Sequence, residues 1–410
     1  MKKLLGITLG ILTSVGGFVD IGDLVASSQA GARFGTAHAW VLLVGVIGIC
    51  AYAEMAGRVV AVSRRPVFDL IRERLGPRVA LANLAGSYVL TVVTLGAEMG
   101  GVALALQLLT SANYLVWIPL VGLVLWLALW RLKFATLERV FGLGGLALVV
   151  FAVAVFVLPT HWDTVWHLAS RPGPPSGTET WPTYWYFAVA IFASALTPYE
   201  VFFYSSGGVE EQWTPKELSQ SKINVFVGFP LGGLLALSLM IVATVVFHPL
   251  NTSVSALGQV ALPPTMALGR IGLALAILGF FAATFGAAME TGLSCAYTVA
   301  QYFGWPWGKV LRPVKAARFH TVLLVSILIG MAILLTTIDP IQLTEYMLIF
   351  SAVALPLTYL PILVIANDRG YMGERVNGRF ANALGTVYLI IVLAAAVAAI
   401  PLMIMTRAGA

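Results

Sequence analysis

Long apolar runs alternate with short polar stretches along the whole chain. A helix that crosses a bilayer needs about 20 mostly apolar residues. Eleven runs meet that length and predict spans at 5–29, 37–57, 80–109, 113–130, 138–158, 182–208, 224–248, 268–301, 320–338, 341–366 and 381–405. Two of the spans are interrupted. The first contains "GGFVDIGDLVAS" (16–27), with Asp20 and Asp23 three residues apart around Gly22. The sixth contains "SALTPYEVFFYSSGG" (194–208), where Pro198 lacks an N–H and sits beside Tyr199 and Glu200.

Breaks in spans one and six fit two five-helix halves followed by an extra helix. An odd number of helices per half makes the halves inverted relative to one another. Interrupted helices at matching positions of two halves point to a transporter's substrate site. The predicted fold class is therefore all-α, a polytopic membrane protein with one transporter domain over 1–410. Its halves fall at 5–158 and 182–366, with the extra helix at 381–405.

Composition agrees: 59% of residues are hydrophobic and 10% charged, where soluble domains carry about 25% charged residues. Net charge is +6, and its placement matters more than its size. With the N-terminus in the cytoplasm, 20 of the 24 Lys and Arg residues fall on the cytoplasmic side, all but Arg33, Arg171, Arg270 and Arg407. That asymmetry predicts a multi-pass protein of the plasma membrane. The spread over several loops argues against a nucleic-acid partner. Cys50 and Cys295 lie in apolar runs and read as small buried hydrophobes. No cleavable signal peptide is expected, because Asp20 interrupts the first apolar run. The polar stretch 161–180 reads as an external loop. Its His161 and His167 are weak metal candidates, and oligomeric state is left open.

Seven carboxylates lie in or near the spans: Asp20, Asp23, Glu54, Glu98, Glu200, Glu290 and Glu345. Each costs about 2.5–3.5 kcal/mol at the centre of a bilayer and so needs a cation, a proton or a basic partner. Basic residues are nearly absent from the span interiors, which leaves cations and protons. Asp20 and Asp23 together neutralise one divalent cation, with carbonyls at the breaks and Thr197 as further oxygen donors. Oxygen donors suit Mg, Mn and Ca better than soft metals. Glu98, deep in span three, is a candidate proton carrier. Glu200 reads either as a third metal carboxylate or as a group facing an arginine or water. Glu54 and Glu345 read as solvated or structural, and Glu290 as a helix–helix hydrogen bond or a transport group. The metal is substrate, and no cofactor is called for.

Alternatives on the same scaffold are an amine or amino-acid transporter, given Phe18, Tyr199, Phe202 and Phe203 beside the breaks. An intramembrane enzyme would want a nucleophile–base pair or an HExxH motif, and the five histidines supply neither. A transport-inactive metal sensor has no distinguishing sequence feature.

These motifs resemble a known family. "DIGDLVASSQAGARFGTAHAWVLLVG" (20–45) resembles the first helix and following loop of the natural resistance-associated macrophage protein (Nramp) family, divalent-metal transporters with an Asp-Pro-Gly-Asn motif and a Gln-Ala-Gly-Ala-x-Phe-Gly run. Here the run reads "QAGARFG". "LGAEMGGVALALQLL" (95–109) is similar to that family's third helix. "TPYEVFFYSS" (197–206) lies where it carries Met-Pro-His, and "AARFHTVLL" (316–324) resembles the start of its ninth helix. The resemblance implies the LeuT-type inverted-repeat fold and alternating access.

The departures are specific. The motif's Pro becomes Ile21 and its Asn becomes Asp23, while Thr197 and Tyr199 replace the Met and His. A backbone carbonyl ligand would fall on Ser194. In the third helix Leu95 stands where an Asp is usual and Glu98 is kept. Of an arginine pair in the ninth helix, Ala317 replaces one and Arg318 keeps the other as a proton-pathway residue. A tenth-helix Gln falls at Ala352. Loss of the thioether and gain of a carboxylate imply a harder site that discriminates less against Mg²⁺ and Ca²⁺. Loss of the His leaves protons as a possible partner only through Glu98 and Glu200.

Overall fold

The computed structural model describes residues 18–175 and 179–409. Helices form where the apolar runs place them: α1 Ile21–Phe34, α2 Ala39–Ser63, α3 Pro77–Thr110, α4 Tyr114–Arg131, and α5, which runs from Phe134–Gly145 through a 3₁₀ turn at Leu146–Leu148 into Val149–Val157. Next come α6 Trp181–Ser194, α7 Pro198–Glu210, α8 Phe229–Val246, α9 Leu262–Phe303, α10 Ala317–Leu335, α11 Pro340–Ala366 and α12 Arg379–Met405. Ten segments among the described residues are long and apolar enough to cross a membrane. The segment Ile21–Ser63 joins the described part of the first expected span to the second, because a 3₁₀ turn at Gly35–His38 links α1 directly to α2. The expected start of span one, at residue 5, lies outside the described residues.

Both breaks are present. Val19 and Asp20 are non-helical immediately before α1, and Ala195–Thr197 separate α6 from α7. The fold is the LeuT-type inverted-repeat arrangement with helices one and six interrupted. The 161–180 stretch differs from its expected loop character: Trp162–Ala169 is a short helix. Trp162, Val165 and Leu168 recur at helical spacing. The Thr36 hydroxyl donates to the Val165 carbonyl at 2.6 Å.

Close packing at small residues brings α1 into the centre of the bundle. A Cβ on Gly31 would come within 2.3 Å of the Met240 carbonyl oxygen, so only glycine lets α1 approach α8 this closely. α3 packs on α9, α10 and α11 and carries Glu98 inward.

Charged contacts gather at the two ends of the bundle. At one end Arg58 and Lys222 pair with Glu54 at 3.1 and 3.3 Å, Arg65 pairs with Glu73 at 2.7 Å, and Arg74 pairs with Asp368. Glu210 there accepts from the Tyr297 hydroxyl at 3.0 Å and from the Lys309 amide. At the other end Arg33 forks onto Glu179, 2.6 and 3.0 Å, and Gln29 donates to Glu345 at 2.6 Å. Glu54 and Glu345 thus hold structural contacts near span ends, one of the two roles expected of them.

Candidate functional site

The two breaks meet. Asp20 is the N-cap of α1: its carbonyl accepts from the Leu24 amide at 3.1 Å, and its Oδ1 accepts from the Asp23 amide at 3.0 Å. Aspartate is favoured there because its side chain satisfies an amide that the helix leaves free. Asp23, in the first turn, gains from the positive end of the helix dipole. The second break has the same logic: Thr197 occupies the N-cap of α7, Pro198 takes the first helical position and Glu200 the first turn. Two helix N-termini therefore converge with three carboxylates between them.

Contacts cross from one break to the other. The Ser194 hydroxyl, at the end of α6, donates to Asp23 Oδ1 at 2.8 Å. The Tyr199 hydroxyl donates to Asp20 Oδ2 at 3.3 Å. Gly22 permits this approach, since a Cβ there would lie 3.0 Å from Ser194 Oγ and 2.9 Å from Leu348. From α3, Glu98 Oε1 accepts from the Ile21 amide at 3.4 Å, so a third helix touches the same break. From α11, the Tyr359 hydroxyl donates to the Leu196 carbonyl at 2.9 Å, and from α9, Ser294 donates to the Tyr199 carbonyl at 3.2 Å.

Asp20 and Asp23 are each only 1% exposed and Glu98 is fully buried, so the carboxylates lie out of contact with bulk solvent. Asp23 Oδ2 and Glu98 Oε2 are buried without a hydrogen-bond partner among the described residues. None of Asp20, Asp23, Glu98 and Glu200 has an ion-pair partner among the described residues. The charges lie within electrostatic reach of one another: Glu98 senses Asp20, Asp23 and Glu290, and Glu200 senses Glu290, Asp20 and Asp23. Buried carboxylates cost most when unpaired, so this cluster favours any cation that enters it.

Of the residues singled out from sequence, Asp20, Asp23, Ser194, Thr197, Glu98 and Glu200 come together. Thr197 and Glu200 meet each other, with the hydroxyl donating to Glu200 Oε2 at 3.4 Å. Arg318 does not join them: it is exposed at the start of α10, its guanidinium 5.1 Å from the Trp305 ring centroid. Among the described residues, no three His, Cys, Asp or Glu side chains are arranged as a metal cage. The donor set here is two aspartates with hydroxyls and the carbonyls freed at a helix end. The Ser194 hydroxyl and the Tyr199 phenol are contacts that sequence reasoning did not assign. The sequence signals for them are position only: the family resemblance places Ser194 at a carbonyl ligand and Tyr199 at the family's His, and Tyr199 adjoins Pro198.

A family model described as Nramp, natural resistance-associated macrophage protein-like, matches residues 10–401. The chain is 24% identical over 385 residues to a divalent metal cation transporter MntH of Aeromonas hydrophila, covering 92% of this chain and 91% of that one. It is 25% identical to an MntH of Verminephrobacter eiseniae, covering 92% and 84%. Among solved structures it is similar to the manganese transporter of Eremococcus coleocola, with a TM-score of 0.72, 18% identity and coverage of 99% and 94%. It is also similar to Mhp1, a nucleobase-cation-symport-1 family transporter in a closed conformation, with a TM-score of 0.59, 17% identity and coverage of 97% and 91%.

Proposed function

This chain belongs to the Nramp family, the natural resistance-associated macrophage protein-like proteins, and from that premise we propose that it imports divalent metal cations by alternating access. The observation that carries this reading is the pair Asp20 and Asp23, buried where the two breaks meet, with no basic side chain in salt-bridge contact among the described residues. A doubly charged ion neutralises both. The names of the relatives, divalent metal cation transporter and manganese transporter, support the same substrate class.

In this reading Asp20 and Asp23 bind the ion, with Ser194, Thr197 and carbonyls from the end of α6 as further oxygen donors and Glu200 as a neighbouring carboxylate. The donors are hard oxygens, which favours Mn²⁺ and Mg²⁺ over softer ions. The ion enters from the end that carries Arg33 and Glu179. It leaves at the end rich in Lys and Arg, the cytoplasmic side of the plasma membrane by the distribution of charge, where the N-terminus also lies. An inside-negative potential contributes about 2.3 kcal/mol per charge per 100 mV, so a divalent ion is drawn inward with or without a proton. Glu98 is the proposed proton carrier, because it accepts from the first amide of α1 and its second oxygen is unpartnered. Arg318 stands apart from that cluster and takes no part in the proposed route.

Uptake by purified protein in liposomes across a panel of Mn²⁺, Mg²⁺, Fe²⁺ and Ca²⁺ tests the reading, with Asp20→Ala as control. Metal flux that disappears in the variant is expected. Flux of an organic amine with none of any metal would overturn it in favour of the amine alternative.

A further inference from the structure

A second built feature lies outside the transport centre, on the bilayer-facing side of α2. It is a cleft of about 680 Å³ between α2, the segment leading into α8 and the start of α12, within the range of about 300–1,000 Å³ usual for ligand sites. Its walls are apolar and include Ile47, Phe226, Pro230 and Leu384. Its polar mouth, at the Lys- and Arg-rich end of the bundle, holds Arg58, Lys222 and Arg375. The only carboxylate among the cleft's lining residues is Glu54, which both Arg58 and Lys222 contact. Three cations against one anion leave the mouth positive.

The wall is locally shaped for this. Asn224–Gly228 is a π-helical turn just before α8, and the Cys50 thiol donates to the Val225 carbonyl within it at 3.4 Å. Such turns widen a helix locally and often mark functional positions. Phe226, in that turn, is 54% exposed. Lys222 lies one helical turn earlier, so the same segment supplies an apolar wall and a cation at the mouth. A plain bilayer-facing helix surface is also apolar, but it is neither concave nor closed at one end by cations.

We propose that this cleft is a binding site for an anionic phospholipid, with an acyl chain against Ile47, Phe226, Pro230 and Leu384 and the headgroup phosphate between Lys222 and Arg375. Charge complementarity chooses the headgroup, since basic residues beside spans attract anionic lipid on the cytoplasmic leaflet. The apolar walls choose a lipid over a free phosphate ester. The inference rests on the membrane topology and not on the transported ion.

Native mass spectrometry of the full chain released from detergent tests this with equimolar phosphatidylglycerol and phosphatidylcholine. Retention of phosphatidylglycerol over phosphatidylcholine is expected in the unaltered protein. In Lys222→Gln with Arg375→Gln that preference should fall by about fivefold for each cation removed. A Leu384→Ser variant should retain less of both lipids. Glycerol 1-phosphate added in excess should not displace the lipid. Equal retention of the two lipids by the unaltered protein overturns the proposal, whatever the variants do. Displacement by glycerol 1-phosphate overturns it in favour of a soluble phosphate ester.

Discussion

Ser194 and Asp23 are joined by a 2.8 Å hydrogen bond that links the end of one interrupted helix to the start of the other. The bond orients one carboxylate oxygen while the other, Oδ2, stays buried and unpartnered. Ser194 also carries the carbonyl that the family resemblance points to, so the two groups of one residue can be separated by mutation. Ser194→Ala removes the hydroxyl and keeps the carbonyl. The bond pre-orients the Asp23 carboxylate, so the apparent KM for metal should rise in the variant with transport retained. An unchanged KM would show that the hydroxyl has no role in binding.

Thr197 stands where a thioether would soften the site. Thr197→Met should raise uptake of softer ions relative to Mg²⁺, read as weaker competition by excess Mg²⁺ against Mn²⁺ uptake. Thr197 is buried, and overpacking costs about 1–3 kcal/mol, so the melting temperature of the variant must be followed alongside. Competition by Mg²⁺ that is as strong as in the unaltered protein, in a folded variant, argues against Thr197 as a selectivity position.

Glu98 is the one carboxylate that reaches the break from α3. Metal-driven acidification of proteoliposomes should fall in Glu98→Gln while potential-driven metal uptake persists. Equal proton flux in the two proteins takes Glu98 out of the path.

The end of the bundle opposite the basic loops is latched by Arg33, which forks onto Glu179, donates to the Gly409 carbonyl and lies 5.1 Å from the Phe187 ring centroid. Beside it, a cavity of about 570 Å³ reaches down to Gln29 and Glu345. Arg33→Ala should favour the conformation open on that side by roughly fivefold, for about 1 kcal/mol in a well-ordered pair. The measurement is labelling of a cysteine placed at Ser27 by an impermeant thiol reagent added from outside. No increase in the labelling rate would show that this pair does not hold the centre closed.

Lys309, in the loop before α10, has its pKa pushed down to about 8 by burial, with the nearby Glu210 opposing the shift. An unfolded lysine titrates near about 10.4, so between those values the unfolded chain binds more protons. Stability should therefore rise with pH from about 8 to 10. Thermal melts at pH 7.5 and 9.5 should show a gain in the unaltered protein that shrinks in Lys309→Met. The same gain in both would assign it to other groups.

Much was legible from residue order alone. The bilayer imposes span length and forbids unsatisfied backbone, so apolar runs and their breaks announce themselves without tertiary information. The acids at the first break, Pro198 at the second and the sidedness of Lys and Arg are of that kind. What only the tertiary structure decided is pairing at a distance. Residue order says nothing about whether Asp23 meets Ser194 or water, that Tyr199 turns its hydroxyl to Asp20, or that Arg318 sits over Trp305 away from the buried acids. The Asp23–Ser194 and Asp20–Tyr199 contacts join residues far apart in the chain, and they depend on how closely glycine positions such as Gly22 and Gly31 let helices approach. Helix periodicity carries no information about that closeness, because it follows from the packing of side chains on separate elements.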